Sequence, residues 1–92
     1  MEKELLELIS ACKIYLDEKT ANEIMHFYMH DEYEMALEGL FIEMIKINKH
    51  PEKISRDKII ELVENYQLNI ESVFDYNFWG KFLEWVLWEI VE

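Results

Sequence analysis

The chain has 92 residues and a formal net charge of −11, so it is long enough for one domain and too acidic to favour direct binding to nucleic acid or anionic lipid. Apolar residues make up 51% of the sequence, which suffices for a hydrophobic core. Its one cysteine, Cys12, excludes an internal disulfide and a cysteine-based zinc site, as is typical of a reducing compartment.

The amino terminus is charged and enters an amphipathic pattern directly, which predicts neither a signal peptide nor a transit peptide. The apolar stretches of the sequence are far shorter than the ~18 residues needed to span a membrane. We therefore expect a single helical domain over residues 1 to 92 that is cytoplasmic and does not bind membranes.

Helices are favoured throughout the chain because it contains only two glycines and one proline, and alternation with a period of two residues is scarce. The turns that β-hairpins need would require more such residues. The sequence therefore predicts an all-α fold, a compact bundle of about five helices.

The first three predicted helices cover residues 2 to 18, 20 to 29 and 32 to 48. The second begins at Thr20, because the segment from Thr20 to Glu23 has the form of a capping box. The third has apolar residues on two opposite sides, which indicates either that it is sandwiched between other helices or that it has a second contact surface. The core side consists of Tyr33, Ala36, Leu37, Leu40, Phe41, Met44 and Ile47, and the opposite side carries Met35, Ile42 and Ile45.

The last two predicted helices follow a break at His50 and Pro51, where proline disfavours helical backbone in the residue before it. The fourth covers residues 56 to 66, with Ser55 as its cap. The fifth covers residues 77 to 91 and is the most apolar segment. Its stripe consists of Trp79, Phe82, Leu83, Val86, Leu87 and Ile90.

Two tryptophans of the fifth predicted helix, Trp85 and Trp88, lie away from that stripe, in the arc that also holds Glu84. Exposed tryptophans are typical binding hot spots, where truncation costs about 2 kcal/mol or more. We therefore predict that Trp85 and Trp88 anchor a partner. Two alternatives stay open: another helix, such as the first, covers the rings, or the rings form a homodimer interface.

An acidic cluster lies at the start and along one side of the third predicted helix. Asp31, Glu32 and Glu34 fall in its first turn, where carboxylates are favoured by the helix dipole. Glu38 and Glu43 lie beyond that reach. They are interpreted either as a solvated face or as a strip that imitates phosphate charge toward a basic partner. The predicted partner-binding carboxylates are Glu34, Glu38 and Glu43, together with Glu84.

His26, His30 and Glu34 are spaced four residues apart and would share a side of one continuous helix as possible metal ligands. An expected break near Asp31 disrupts that geometry, and the usual reading is a partly buried histidine. We therefore predict no metal and no cofactor. The sequence also lacks a glycine-rich phosphate loop, a nucleophile elbow and an HExxH motif, so we predict no enzymatic activity.

A longer pattern begins at His30 and runs through Glu32, Tyr33, Ala36, Leu37 and Leu40, continues with Ile54 and Ser55, and ends near Trp79. It resembles the small immunity proteins of contact-dependent growth inhibition and of the related Maf toxin systems. In those proteins a Gly-Glu-aromatic-x-x-Ala-Leu-x-x-Leu helix precedes an Ile-Ser-capped helix and a Trp-containing segment. The match covers about residues 20 to 82, and Asp31 stands where the family usually has glycine.

The resemblance implies a cytosolic antitoxin that binds a toxin domain delivered by a neighbouring cell and blocks its active site. Such toxins are often nucleases, which are basic around the active site because they bind polyanions, so the charge of −11 agrees with a basic partner. The sequence therefore predicts an immunity protein that covers the active site of a nuclease, with an RNase favoured. The alternative is a small acidic adaptor that self-associates through its aromatic last helix.

Overall fold

The computed structural model describes residues 2 to 87, and that range contains five α-helices and no β-strand. The radius of gyration is 12.0 Å, close to the value of about 12 Å expected for a compact chain of this length. The predicted all-α bundle is thereby confirmed. The helices are α1 (Glu2–Lys13), α2 (Glu18–Met29), α3 (Tyr33–Ile47), α4 (Arg56–Asn65) and α5 (Phe78–Val86).

The junction between α1 and α2 differs from the prediction at both ends. Helix α1 ends at Lys13, five residues earlier than predicted, and α2 begins at Glu18. Asp17 is the cap residue, because its Oδ1 accepts a hydrogen bond from the Thr20 N–H at 2.7 Å. The predicted cap at Thr20 is wrong because the carboxylate three residues earlier satisfies the free backbone donor.

Apart from the end of α5, which is at Val86, the other helix boundaries lie within about two residues of the prediction. Helix α3 ends where Asn48 adopts a left-handed conformation with φ 53°, which asparagine tolerates better than most residues. Ser55 caps α4 as predicted, since its Oγ accepts a hydrogen bond from the Lys58 N–H at 3.2 Å. The predicted end of the fifth helix at Val91 lies outside the described residues.

Helix α3 is central to the bundle and packs against α1, α2 and α5, whereas α4 packs against α1. This position explains the apolar residues on both sides of α3: Ile42 and Ile45 are half-buried against the core. Ile47 is an exception to the predicted core side, because it is the last residue of the helix and is largely exposed. One hydrophobic core draws on all five helices. Within residues 2 to 87 no helix combines the length and the apolar character needed to cross a membrane.

Candidate partner-binding surface

Glu38 is buried within the bundle, which contradicts its prediction as a partner-facing carboxylate. Its exposed fraction is 0%, and its two oxygens accept three backbone hydrogen bonds. Oε1 accepts from the N–H of Val73 at 2.6 Å, and Oε2 accepts from those of Phe74 at 2.7 Å and Asp75 at 2.9 Å. Glu38 therefore fixes the connection between α4 and α5 instead of facing a partner.

The physical reason for this correction lies in the connection itself. Residues 73 to 75 are outside regular helix, so their consecutive N–H groups need acceptors from elsewhere in the protein. A helical wheel of α3 cannot show that a distant segment folds over Glu38. The sequence carried only a weak signal of this contact. The connection between α4 and α5 contains several apolar residues and no glycine, and no neighbouring side chain was an evident acceptor for its backbone N–H groups.

Trp85 is also buried, with an exposed fraction of 5%, so its prediction as an exposed anchor is wrong. Its indole Nε1–H donates to the Lys49 carbonyl at 2.9 Å, and the His50 ring stacks on it with centroids 4.7 Å apart. The segment between α3 and α4 therefore covers the indole ring. Phe41 also packs against the indole, with ring centroids 5.3 Å apart. Trp88 lies outside the described residues.

The remaining predicted carboxylates do not form one strip. Glu34 and Glu43 are nine residues apart on α3, which places them about half a turn from each other around the helix. Glu34 is exposed, whereas Glu43 is half-exposed and pairs with Lys46 at 3.3 Å. Glu84 is exposed on α5. The acidic surface is thus distributed over several sides of the molecule.

A cluster of three tyrosines lies next to Glu34. The rings of Tyr28 and Tyr33 have centroids 5.4 Å apart, and those of Tyr33 and Tyr66 are 6.2 Å apart. Desolvation and a hydrogen bond donated to Asp31 at 3.0 Å raise the pKa of Tyr33 to about 12. Desolvation, followed by the nearby Glu2 carboxylate, also raises the pKa of Tyr66. The phenols of Tyr33 and Tyr66 are therefore neutral near pH 7, with carboxylates around them.

Residues 67 to 77 form the connection between α4 and α5, here named the 67–77 loop. It begins with Gln67 in a left-handed conformation, φ 62°, and Leu68 is buried immediately after it. Four large apolar or aromatic side chains of the loop are wholly or partly exposed to solvent. They are Ile70, Val73, Phe74 and Tyr76, with exposed fractions of 78%, 47%, 48% and 90%.

An open depression of about 620 Å³ joins the tyrosine cluster to the 67–77 loop. Its lining includes Glu34, Tyr66, Glu71 and Val73. Two carboxylates thus lie between an aromatic ring and the apolar part of the loop. Sequence reasoning treated residues 67 to 73 only as a connector, because the spacing along the chain does not show that Glu34 and Glu71 meet.

The predicted histidine pair is close in space but is separated from the acidic residue that would complete a metal site. The rings of His26 and His30 have centroids 4.2 Å apart, and His30 Nδ1 lies 2.9 Å from the His26 carbonyl oxygen. Helix α2 ends at Met29 and Asp31 has φ 60°, so Glu34 belongs to a different helix. Among residues 2 to 87, no three His, Cys, Asp or Glu side chains are grouped to hold a metal ion.

Comparisons with protein families, with curated proteins and with solved structures give no match for this chain.

Proposed function

We propose that this protein is an immunity protein that binds a cognate secreted toxin domain and neutralises it in the cytoplasm. The toxin in this proposal is a nuclease, with an RNase favoured, and the immunity protein blocks its active site without being an enzyme. The observation that carries the proposal is the net charge of −11 on a chain of only 92 residues. Such a field attracts basic proteins and repels nucleic acid.

Charge complementarity supports this partner class in a specific way. A nuclease must hold a polyanion, so its substrate cleft is lined with cations, and an acidic protein can occupy the same cleft. Exposed carboxylates such as Glu34, Glu71 and Glu84 are available on the described surface. Steering by their combined field would raise the association rate at low ionic strength more than the final affinity.

The backbone at Asp31 gives further support through the resemblance. The immunity proteins that the sequence resembles usually have glycine at this position, and Asp31 has φ 60°, a conformation that glycine adopts without steric cost. After glycine, aspartate and asparagine are the residues that tolerate this left-handed conformation best. The departure from the family pattern therefore preserves the turn between α2 and α3, which makes Asp31 compatible with the resemblance.

The test is to co-express the chain with the toxin domain encoded immediately upstream of its gene and to measure growth. The purified pair is then mixed in a stopped-flow instrument at 50, 150 and 500 mM NaCl. We expect growth rescue. We also expect the association rate to fall by about tenfold to a hundredfold between 50 and 500 mM NaCl.

A toxin that still kills in the presence of the chain and forms no complex with it would contradict the proposal. Rescue with an association rate independent of salt would retain an immunity protein but refute the electrostatic basis given for it. A variant with Glu34→Gln and Glu71→Gln should show a lower association rate at 50 mM NaCl. The charge-matched control is Glu7→Gln with Glu18→Gln, which also removes two exposed charges, one from α1 and one from α2.

A further inference from the structure

The 67–77 loop combines exposed apolar side chains with a buried carboxylate beneath its backbone. It leaves Ile70 and Tyr76 almost fully exposed, and it requires the burial of the Glu38 carboxylate. Exposed apolar groups gain no burial energy, and a buried carboxylate needs hydrogen bonds to replace its lost hydration, which the loop backbone supplies to Glu38. An ordinary connection between two helices would be polar and would need no buried acid.

The loop is nevertheless held in one conformation along its length. Leu68 is buried at its start, and the Leu68 N–H donates to the Val63 carbonyl at 3.1 Å. The middle is fixed by the three hydrogen bonds to Glu38. Near its end, Asp75 accepts hydrogen bonds from the Asn77 N–H at 2.9 Å and from Lys81 Nζ at 2.7 Å. Phe74 also packs against Phe27, with ring centroids 5.9 Å apart.

A loop that is tied to the bundle by hydrogen bonds and packing while it presents apolar side chains is pre-organised for binding, because less conformational freedom is lost when a partner arrives. Aromatic residues, including tyrosine and phenylalanine, are enriched in the buried cores of protein interfaces. Glu38 holds the backbone of residues 73 to 75 in place. It thereby fixes the positions from which Val73 and Phe74 project at the surface.

The charges around the loop identify the kind of partner. The adjoining depression is lined by Glu34 and Glu71, and its lining within the described residues includes no lysine or arginine. A second copy of this chain would bring another net charge of −11 to the same surface. A basic protein instead brings cations that can enter the depression beside Tyr66 and pair with the two carboxylates.

We infer that the 67–77 loop and the depression beside it are the surface that docks a basic protein partner, with Ile70, Val73, Phe74 and Tyr76 as apolar anchors and Glu34 and Glu71 as the acidic rim. This inference rests on the proposed function, because the partner that it commits to is the toxin domain. It names the docking surface, which the proposed function leaves open.

The experiment compares three forms of the full chain for binding to the upstream-encoded toxin domain by calorimetry and for growth rescue. The forms are the natural protein, the double variant Ile70→Ser with Tyr76→Ser, and the control Ile14→Ser. Ile14 is 80% exposed and follows the carboxyl end of α1. The tyrosine cluster beside the depression lies at the opposite end of α1, where the Tyr28 hydroxyl donates to the Glu2 carbonyl at 3.4 Å, and a helix of 12 residues is about 18 Å long.

We expect the double variant to raise the Kd at least about tenfold and the Ile14→Ser control to change it less than twofold. Both variants should keep the natural melting temperature within a few degrees, because the replaced side chains are exposed. Hydrogen exchange on the complex should show new protection at residues 69 to 77. These three results together support the inference.

A double variant that binds the toxin domain as tightly as the natural protein would overturn the inference while the proposed function survives. If the natural protein neither binds the toxin domain nor rescues growth, the proposed function is overturned, and the inference falls with it. This outcome differs from the previous one because the natural protein itself fails. Sedimentation of the chain alone adds a further outcome. A dimer that the double variant dissociates would identify a second copy as the occupant and would also overturn the inference.

Discussion

Glu38 shows how a single side chain can have a role different from that of its chemically identical neighbours. Glu34, Glu38 and Glu43 lie on the same helix, yet only Glu38 is buried and bonded to three backbone N–H groups. A carboxylate suits this position because it only accepts hydrogen bonds and has lone pairs for all three donors. Its contribution is therefore to the order of the 67–77 loop.

The substitution Glu38→Gln should destabilise the protein by about 2 to 3 kcal/mol, since the new amide NH2 group would face backbone N–H donors and leave the donors on that side without an acceptor. Urea denaturation followed by circular dichroism measures the change. The control Glu34→Gln alters an exposed carboxylate one turn earlier on α3 and should shift stability by less than about 0.5 kcal/mol. Equal losses in the two variants would contradict the role assigned to Glu38.

At the scale of the helices, Trp85 and His50 join α5 to the segment between α3 and α4. The indole donates to the Lys49 carbonyl, and His50 Nε2 lies 3.0 Å from the Trp85 carbonyl oxygen. Desolvation lowers the pKa of His50, against the opposing effect of that hydrogen bond, so the stacked imidazole is neutral near pH 7. Two hydrogen bonds and one ring stack thus hold a segment without regular structure against a helix.

Replacing Trp85 by phenylalanine should cost about 1 to 2 kcal/mol, because the Lys49 carbonyl loses the indole donor while much of the ring packing is kept. Trp85→Ala should cost about 3 to 5 kcal/mol, since it also leaves a cavity. Thermal and urea unfolding measure both. Trp79→Phe, at a half-buried ring in the first turn of α5, is the control and should cost less than Trp85→Phe.

A Trp85→Ala variant as stable as the natural protein would contradict the packing role assigned to Trp85.

For the whole molecule, the excess of acids over bases opposes folding. Twenty acidic residues face nine basic ones, so most carboxylates cannot form ion pairs with lysine or arginine. Pairs such as Lys58 with Glu4 and Lys81 with Asp75 occur at exposed or half-exposed sites, where solvent and salt screen them and each contributes little to stability. Repulsion among the remaining carboxylates is therefore the dominant electrostatic effect on stability.

Raising NaCl from 20 to 500 mM at pH 7.5 should consequently raise the melting temperature by a few degrees, because screening weakens that repulsion more than it weakens the few ion pairs. Differential scanning calorimetry measures the shift. A double variant with Glu7→Gln and Glu64→Gln, both at exposed positions, should respond less to salt. A melting temperature that falls with salt would mean that the ion pairs outweigh the repulsion.

The sequence by itself determined the helices and the charge of this protein. The apolar spacing along α3 and the cap at Ser55 are local properties, since each depends on residues within one or two turns. They were therefore readable without any knowledge of packing. The helix breaks near Asp31 and Pro51 are local in the same way. The net charge is a sum over the composition and needs no structure at all.

Only the tertiary structure decided which of the candidate side chains face solvent. Glu38 and Val73 are 35 residues apart in the chain, and so are His50 and Trp85. A helical wheel assigns a side but not what covers that side, so it gave exposed positions to Glu38 and Trp85, which connecting segments in fact bury. For the same reason, the meeting of Glu34 with Glu71 beside the 67–77 loop became visible only once the helices were packed.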